Sequence, residues 1–258
     1  MRRHLAFRCE GETLVGTLDE GSGDTGLLIV TGGNELRCGA FGGQAALAAR
    51  LAAAGFPVMR YDRRGVGDST GSNGGYRNSA PDIAAAMAVL KRETPARRIV
   101  AFGNCDAASA LMLAGGGGAD ALVLANPWTF TDGTSAEPSP SEARSRYARR
   151  LSDPRQVVRL LRGEVNLAKL ARGIKQAVRP ALPSTLLDEL RAGIAGFAGP
   201  VTHLTAGRDR TGQAFARVWK GPVETAADAD HAFSGASQDW LYERLRRALE
   251  QAGQLDMG

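Results

Sequence analysis

Short, continuous apolar runs alternate along the chain with longer segments of helical composition. Four of these runs predict strands buried on both faces of a sheet: GLLIVT (26–31), FPVMRYD (56–62), RRIVAFGN (97–104) and ADALVLAN (119–126). Three alanine- and leucine-rich segments predict the helices between and after them: 43–55, 80–93 and 105–114. Two further runs near the amino terminus, residues 4–9 and 12–19, predict strands joined by a tight turn.

This alternation with short connections predicts an α/β fold with a mostly parallel central sheet and helices on both faces. The pattern stops near residue 128, where a loop rich in Ser, Thr, Pro and Gly precedes arginine-rich helical segments. It resumes with four further elements, namely the strand 199–207, the helix 211–220, the strand 221–226 and the helix 237–253. We therefore predict a core of residues 1–127 and 199–258, with a helical cap inserted at residues 128–198.

The composition restricts the class of protein. Of the 258 residues, 43% are hydrophobic and 23% are charged, as in globular rather than disordered chains. No apolar run of about 18 residues predicts a membrane span, and no apolar stretch near the amino terminus is long enough for a signal peptide. The net charge is +5, but the sequence contains no nucleic-acid-binding motif, so nucleic acid is not a predicted partner. Three cysteines argue against a disulfide framework, so we predict a cytoplasmic protein.

The stretch GNCDAAS (103–109) places a cysteine between a predicted strand and a predicted helix. A sharp strand–turn–helix corner with a nucleophile at its apex is called a nucleophile elbow, and it needs small flanking residues such as Gly103 and Ala107. The beginning of a helix favours the thiolate, which is the reactive form of cysteine. We therefore predict that Cys105 is the nucleophile. The carboxylate of Asp106 either turns into another contact or tunes the thiol.

A base and an acid follow Cys105 in the chain. His231 lies in the loop DADHAFSG (228–235) after the last predicted strand, and Asp209 follows the strand 199–207. This order predicts a triad in which Asp209 orients His231 and His231 takes the thiol proton. Four weaker candidates for acid or base remain: Asp228, Asp230, His4 and His203.

Acyl chemistry also needs backbone N–H groups that stabilise an oxyanion. The first is predicted to be the N–H of Asp106, directly after the nucleophile. The second should come from the loop TGGNELRCG (31–39), where the N–H of Gly33 or of Asn34 would point at the substrate oxygen.

Three residues are predicted to line the substrate site: Gly32, Trp128 and Cys38, although Cys38 is alternatively structural filler. No cofactor is predicted, because the sequence Gly65-x-Gly67 lacks the third glycine of a dinucleotide fingerprint. No His, Cys or carboxylate cluster has the spacing of metal ligands, so no metal is predicted.

The loop YDRRGVGDSTG (61–71) resembles the D-x-R-G-x-G-x-S loop of α/β-hydrolases. With the elbow, Asp209 and His231, this resemblance covers almost the whole chain. Four segments resemble the exosortase A system-associated hydrolase 1 group, bacterial proteins similar to serine-aminopeptidase-type hydrolases but with Cys-Asp at the elbow: 30–69, 103–109, 122–128 and 160–170. The resemblance implies an α/β-hydrolase fold and a hydrolase or acyl-transfer enzyme linked to exopolysaccharide and protein-sorting gene clusters.

Three functions remain open at this point. The first is an esterase or thioesterase that acts on a small acyl substrate through an acyl-enzyme, the second is an acyltransferase with the same triad, and the third is a non-catalytic binding protein. The intact set of Cys, His and Asp favours the two enzymes. Seven arginines of the cap form either a solvated face or a docking surface for an acidic partner such as acyl carrier protein: Arg144, Arg146, Arg149, Arg150, Arg155, Arg159 and Arg162.

Overall fold

The computed structural model describes residues 1–130 and 185–254. Most of the predicted cap, 128–198, lies outside these described residues. The seven arginines of the cap and the segment 160–170 lie outside them as well.

Internal contacts divide the chain into two units. The first comprises Met1–Thr129 and Leu187–Gly258, and the second comprises Phe130–Leu186. Every strand found in the described part of the chain belongs to the first unit. Within that part, no helix has the length and apolar character needed to cross a membrane.

Eight strands of the described residues form one sheet. Their bounds are β1 (Arg2–Cys9), β2 (Glu12–Asp19), β3 (Thr25–Val30), β4 (Val58–Tyr61), β5 (Arg98–Asn104), β6 (Ala121–Ala125), β7 (Val201–Ala206) and β8 (Glu224–Ala226). They lie in the order β1-β2-β4-β3-β5-β6-β7-β8. The pairs β1–β2 and β2–β4 are antiparallel and all other neighbours are parallel, which confirms the predicted mostly parallel sheet.

Six α-helices lie in the described segments. Their bounds are α1 (Gly43–Ala53), α2 (Ala80–Glu93), α3 (Asp106–Leu113), α4 (Thr185–Ile194), α5 (Arg210–Val218) and α6 (Ser237–Gly253). Five of them coincide with predicted helices, and α4 falls within the stretch assigned to the cap. Strand β8 is shorter than the predicted strand 221–226, because Gly221 and Pro222 at its start are poor strand formers.

The helices cover both faces of the sheet because successive strand residues point to opposite sides. On one face, Leu27 and Ile29 of β3 are buried in a core cluster with residues of α1 and α6. The alternate residues Leu28 and Val30 are also buried, and α2 and α3 pack against the same sheet. Strands buried on both faces are the reason for the continuous apolar runs in the sequence.

The parallel register brings the carboxyl ends of four strands to one edge of the sheet. Val30 at the end of β3 pairs with Gly103, and Asn104 at the end of β5 pairs with Ala125. Strand β6 in turn pairs in parallel with β7. The loops that follow these strands therefore meet at the edge where open α/β sheets form their sites.

Candidate active site

Cys105 stands in the turn between β5 and α3 in a backbone conformation that L residues rarely adopt. Its φ is 62° and its ψ is −126°, in the positive-φ region that favours glycine. The Cys105 N–H donates to the Ala125 carbonyl at 2.9 Å, which ties the turn to β6. Such a conformation persists only where the surroundings impose it, and it is typical of functional sites.

The residues around this turn must be small. A Cβ atom at Gly103 would lie 2.7 Å from the carbonyl carbon of Ala107 and from the nitrogen of Ala108. Ala107 and Ala108 are themselves fully buried. This close packing of strand end against helix start gives the physical reason for the sequence Gly-Asn-Cys-Asp-Ala-Ala.

Trp128 lies beside the elbow through its backbone. Its N–H donates to the Cys105 carbonyl at 3.2 Å, and its own carbonyl accepts the Ser109 hydroxyl at 2.8 Å. The structure therefore brings Trp128 to the turn that carries the cysteine. The role of its side chain in lining a substrate pocket remains a prediction.

Asp209 lies directly beyond β7, where it begins α5. Its carboxylate accepts the Gly212 N–H at 2.8 Å as the helix N-cap, and its Oδ1 lies 3.1 Å from Nδ1 of His231. Burial raises the pKa of Asp209, but the hydrogen bonds from His231 and from the amides of α5 outweigh burial, so the net pKa lies below its usual value. Asp209 is thus held as a carboxylate, the state needed to orient an imidazole.

His231 connects this acid to the thiol, since its ring hydrogen-bonds both Asp209 and Cys105. The hydrogen bond to Asp209, and then the one to Cys105, raise the pKa of His231 to about 10, against the opposing effect of burial. Solvent screens these interactions in part, because 46% of the side chain is exposed. The favoured imidazolium is the partner that stabilises a thiolate.

Two asparagines connect the strand ends to the His231 loop. The Asn104 side-chain N–H donates to the His231 carbonyl at 2.9 Å, and its Oδ1 accepts from the side chain of Asn126, also at 2.9 Å. Asn126 is fully buried, and its Oδ1 accepts the Ala206 N–H at 2.8 Å. Neither residue was predicted from the sequence. The only local signal is the position of Asn104, directly before the cysteine.

The Asp106 carboxylate contacts the loop that follows β3. Its two oxygens accept the Gly33 N–H at 2.7 and 2.9 Å, and Oδ2 lies 3.7 Å from a guanidinium nitrogen of Arg63. Of the two alternatives that the sequence leaves open for Asp106, the structure therefore supports another contact. It also corrects the expectation for Gly33: the Gly33 N–H is already bonded to Asp106 and is not open to a substrate oxygen.

Gly32 and Asn34 flank this amide. A Cβ atom at Gly32 would lie 2.3 Å from Oδ1 of Asp106 and 3.0 Å from the Asn104 carbonyl oxygen, so only glycine allows this close approach. The exposed Asn34 side chain accepts from Asn73 at 2.7 Å. Among the described residues, the Asn34 N–H has no hydrogen-bond acceptor.

A family model described as serine aminopeptidase, S33, matches residues 26–170, which is more than half of the chain. The chain belongs to this family. The matched region contains β3 except for Thr25, the strands β4 to β6 and the whole elbow. It ends before Asp209 and His231, whose assignment rests on the geometry above. A search of the curated proteins finds no significant match.

Three solved structures share the fold of this S33 family member. The esterase Pf2001 of Pyrococcus furiosus is 17% identical, with a TM-score of 0.64 over 98% of this chain and 91% of that one. The α/β-hydrolase GrgF of Penicillium sp. sh18 is 18% identical, with a TM-score of 0.62 over 97% and 99%. A thioesterase domain from the curacin biosynthetic pathway is 12% identical, with a TM-score of 0.56 over 95% and 99%. These similarities confirm the predicted α/β-hydrolase fold.

The elbow of this S33 family member carries a cysteine, whereas the family description names a serine. Either residue can attack a carbonyl when an adjacent histidine removes its proton. The thiol needs less activation, because its pKa is far lower than that of a hydroxyl.

Glu35 is a further residue near the site that was not predicted from the sequence. It lines a small pocket together with Asn104 and Ala232, the neighbours in sequence of Cys105 and His231. Burial raises the pKa of Glu35, although its carboxylate accepts the Ala40 N–H at 2.9 Å and a side-chain N–H of Gln44 at 2.7 Å. Nothing in the local sequence pattern indicates that the Glu35 carboxyl group, in the loop after β3, lies near the site.

Cys38 lies outside the cluster of predicted catalytic residues. It is exposed and lines a cavity of about 410 Å³ with Arg37, Asp62 and others. None of Cys105, Asp209 and His231 lines that cavity. The structure therefore does not bring Cys38 to the predicted triad.

The two other histidines have structural surroundings. His203 is buried beside the rings of Phe215 and Trp219, and burial lowers its pKa to about 4. His4 bonds through Nδ1 to the Thr17 hydroxyl at 3.0 Å in the β1–β2 hairpin. Neither histidine competes with His231 for the thiol.

Proposed function

We propose that this protein is a hydrolase of acyl esters or thioesters that uses Cys105 as nucleophile, His231 as general base and Asp209 as the orienting acid. One observation carries the proposal. At the strained turn after β5, His231 hydrogen-bonds both the Cys105 thiol and the Asp209 carboxylate. A nucleophile, a base and an orienting group in contact are the signature of covalent acyl transfer.

In the first half-reaction, His231 takes the thiol proton and the Cys105 sulfur attacks the substrate carbonyl. The resulting oxyanion accepts hydrogen bonds from the Asp106 N–H and from a second N–H of the β3 loop. Because the Gly33 N–H is bonded to Asp106, we assign the second donor to Asn34. The C–O or C–S bond then breaks, and the leaving group takes its proton from His231.

In the second half-reaction, water attacks the acyl-enzyme thioester while His231 takes a proton from that water. The tetrahedral intermediate collapses and expels the Cys105 sulfur, which recovers the proton from His231. The products are the free acid and the original thiol. Asp209 keeps His231 in the orientation that both proton transfers need.

Ester or thioester substrates are supported by the kinds of protein that share the fold. Pf2001 is named an esterase, and the curacin-pathway domain is named a thioesterase. The carbonyl of either substrate class suits attack by a sulfur nucleophile. We infer that Trp128 and Gly32 line the acyl pocket of this chain.

The cellular setting is also part of the proposal. The Cys-Asp elbow and the segments given above resemble exosortase A system-associated hydrolase 1, so we propose a role beside exopolysaccharide and protein-sorting genes. The basic cap would suit an acidic acyl carrier protein as acyl donor. The three free cysteines fit a cytoplasmic location.

The alternative within the same chemistry is an acyltransferase, in which an alcohol or amine replaces water in the second half-reaction. The triad and the oxyanion donors would act in the same way. A non-catalytic binding protein is less favoured, because binding alone would not require the strained Cys105 backbone beside His231.

Mass spectrometry of the intact protein tests the proposal. The protein is incubated with a panel of short- and long-chain acyl esters, acyl-CoA and acyl carrier protein, and product release is followed in parallel. We expect an acyl adduct on Cys105 and release of free acid. Addition of alcohols or amines distinguishes a transferase, since the acyl group would then appear on the acceptor.

Two variants serve as controls. Cys105→Ala should form no acyl adduct. Cys38→Ala, which removes the exposed thiol, should form the adduct at the wild-type rate. The mechanism would be wrong if Cys105→Ala or His231→Ala kept full turnover. A complete lack of adduct and turnover across the panel would count against an acyl-transfer enzyme.

A further inference from the structure

We propose that the Asp106 side chain, together with Arg63, is a positioning group that holds the backbone of Gly33 so that the next amide N–H, that of Asn34, serves the oxyanion. This inference deepens the proposed function and rests on it. Gly33 is held at both of its backbone polar atoms, the N–H of the Gly32–Gly33 peptide and the carbonyl of the Gly33–Asn34 peptide.

The Gly33 N–H is held by Asp106 and the Gly33 carbonyl by Arg63. Both carboxylate oxygens of Asp106 accept the N–H, at 2.7 and 2.9 Å. The Arg63 guanidinium donates to the Gly33 carbonyl, and it also donates to the Ser79 hydroxyl at 3.1 Å. The Gly33 carbonyl and the Asn34 N–H belong to the same planar peptide group. Charge-assisted hydrogen bonds on both sides of the Gly33 Cα therefore leave this group little freedom to rotate, because such bonds are the strong ones.

The burial of these charges explains why they occur together. The Arg63 side chain is 3% exposed and that of Asp106 is 16% exposed, so each needs a partner of opposite charge or strong hydrogen bonds. Their charged atoms lie 3.7 Å apart. The first turn of α3 also favours the negative charge of Asp106. The negative charge of the Asp106 carboxylate is therefore balanced by Arg63, the Gly33 N–H and the start of α3, and not by the thiol.

Two of the three amides from Gly33 to Glu35 are already hydrogen-bonded within the protein. The Glu35 N–H donates to the Gly32 carbonyl at 2.9 Å, and the Gly33 N–H is taken by Asp106. Of the three amides from Gly33 to Glu35, only that of Asn34 has no acceptor among the described residues. Asp106 therefore contributes twice: its N–H is one oxyanion donor, and its carboxylate places the second.

Asp106→Ala and Asp106→Asn test this role with two reactions of the same thiol. Acylation of Cys105 by an activated ester in single-turnover experiments needs the oxyanion donors, whereas alkylation by iodoacetamide does not. Displacement of a donor costs less than its removal, so we expect acylation by Asp106→Ala to slow by about tenfold to hundredfold. Alkylation should keep the wild-type rate. Asp106→Asn, which keeps one acceptor oxygen, should be intermediate.

Asp239→Ala is the matched control. Asp239 also lies in the first turn of a helix and pairs with an arginine, Arg50, at 2.8 Å, but it belongs to α6. This variant should acylate and alkylate as the wild type does. Equal slowing of acylation and alkylation in Asp106→Ala would overturn the inference, because Asp106 would then act on the thiol or on the fold. Unchanged acylation would overturn it as well.

Hydrogen exchange tests whether Asp106 anchors Gly33 independently of the proposed function. In Asp106→Ala, the peptide that contains Gly33 should exchange its amide hydrogens faster than in the wild type, whether or not any substrate is known. If the wild type forms no acyl adduct, the proposed function fails and the oxyanion role fails with it. Exchange at Gly33 then decides whether Asp106 anchors the loop. Unchanged exchange would overturn the anchoring itself.

Discussion

An aspartate stands at the start of both α3 and α5, but the two carboxylates have different partners. Asp209 at the start of α5 caps its own helix through the Gly212 N–H and contacts Nδ1 of His231. Asp106 at the start of α3 accepts the N–H of Gly33, which lies 73 positions earlier in the chain. Both carboxylates lie where the helix favours negative charge. Their roles differ because the sheet brings different loops beside them.

Sheet order explains the difference. Strand β5, which leads to Asp106, is the parallel neighbour of β3, so the loop after β3 meets the start of α3. Strand β7, which leads to Asp209, is the neighbour of β8, and the loop after β8 carries His231. The partner of an aspartate at a helix start is therefore set by the loop that the neighbouring strand brings beside it.

The largest expected effect comes from Asp209→Asn. Asparagine is also a good N-cap, so α5 should remain intact while His231 loses its charged partner. We expect kcat on a reactive ester to fall by about 10⁴-fold, compared with about tenfold for Asp106→Asn. Asp230→Asn, a carboxylate of the His231 loop itself, should leave kcat near the wild-type value. If Asp230→Asn were the more damaging change, the acid would be misassigned.

Asn126→Gly should have the next largest effect. Glycine accepts the positive φ of 44° at this position, so the change isolates the loss of the amide. Removing it leaves the buried Ala206 N–H without its acceptor and Oδ1 of Asn104 without this donor. We expect the free energy of unfolding in urea to fall by about 3 kcal/mol. An unchanged midpoint and slope would show that the asparagine network contributes nothing to stability.

The smallest expected effect concerns pH, because the His231 side chain is nearly half exposed. The folded protein raises the pKa of His231 to about 10 through Asp209 and Cys105, so the folded state binds this proton more tightly than the unfolded state. The stabilisation is fully present below the unfolded pKa of about 6.5 and is lost as the pH rises through about 10.

The free energy of unfolding of the wild type minus that of His231→Gln measures this contribution. The difference should be largest near pH 6 and should shrink toward about pH 10. Asp209 shows the opposite sign. Its lowered pKa gives a contribution that is present above about pH 4 and is lost as the pH falls further. A wild-type advantage over His231→Gln that grew with pH would contradict the assigned hydrogen bonds.

Most of the fold was predictable because its signals are local. Strands β3, β5 and β6 are buried on both faces, and such burial leaves apolar runs that a sequence displays directly. The predicted strand 221–226 was too long, since Gly221 and Pro222 at its start are poor strand formers. The elbow was predictable for the same reason, because crowding between Gly103 and Ala107 restricts adjacent positions.

The supporting residues of the site could not be predicted from local patterns. Asn126 and Arg63 act on groups that are distant in sequence: the Ala206 amide and the Gly33 carbonyl. Nothing in the residues around either one indicates that partner. The choice between Gly33 and Asn34 was open for the same reason, because it depends on a side chain from another strand end.

The sequence by itself determined the strand–helix order, the position of Cys105 in a cramped turn, and the residue types that can act with it. These follow from periodicity, residue size and chain order. Only the tertiary structure decided that the Asp106 carboxylate joins Gly33 and Arg63, and that two asparagines hold the His231 loop. The physical reason is that hydrogen-bond partners are chosen by distance in space, and sheet order sets that distance independently of separation along the chain.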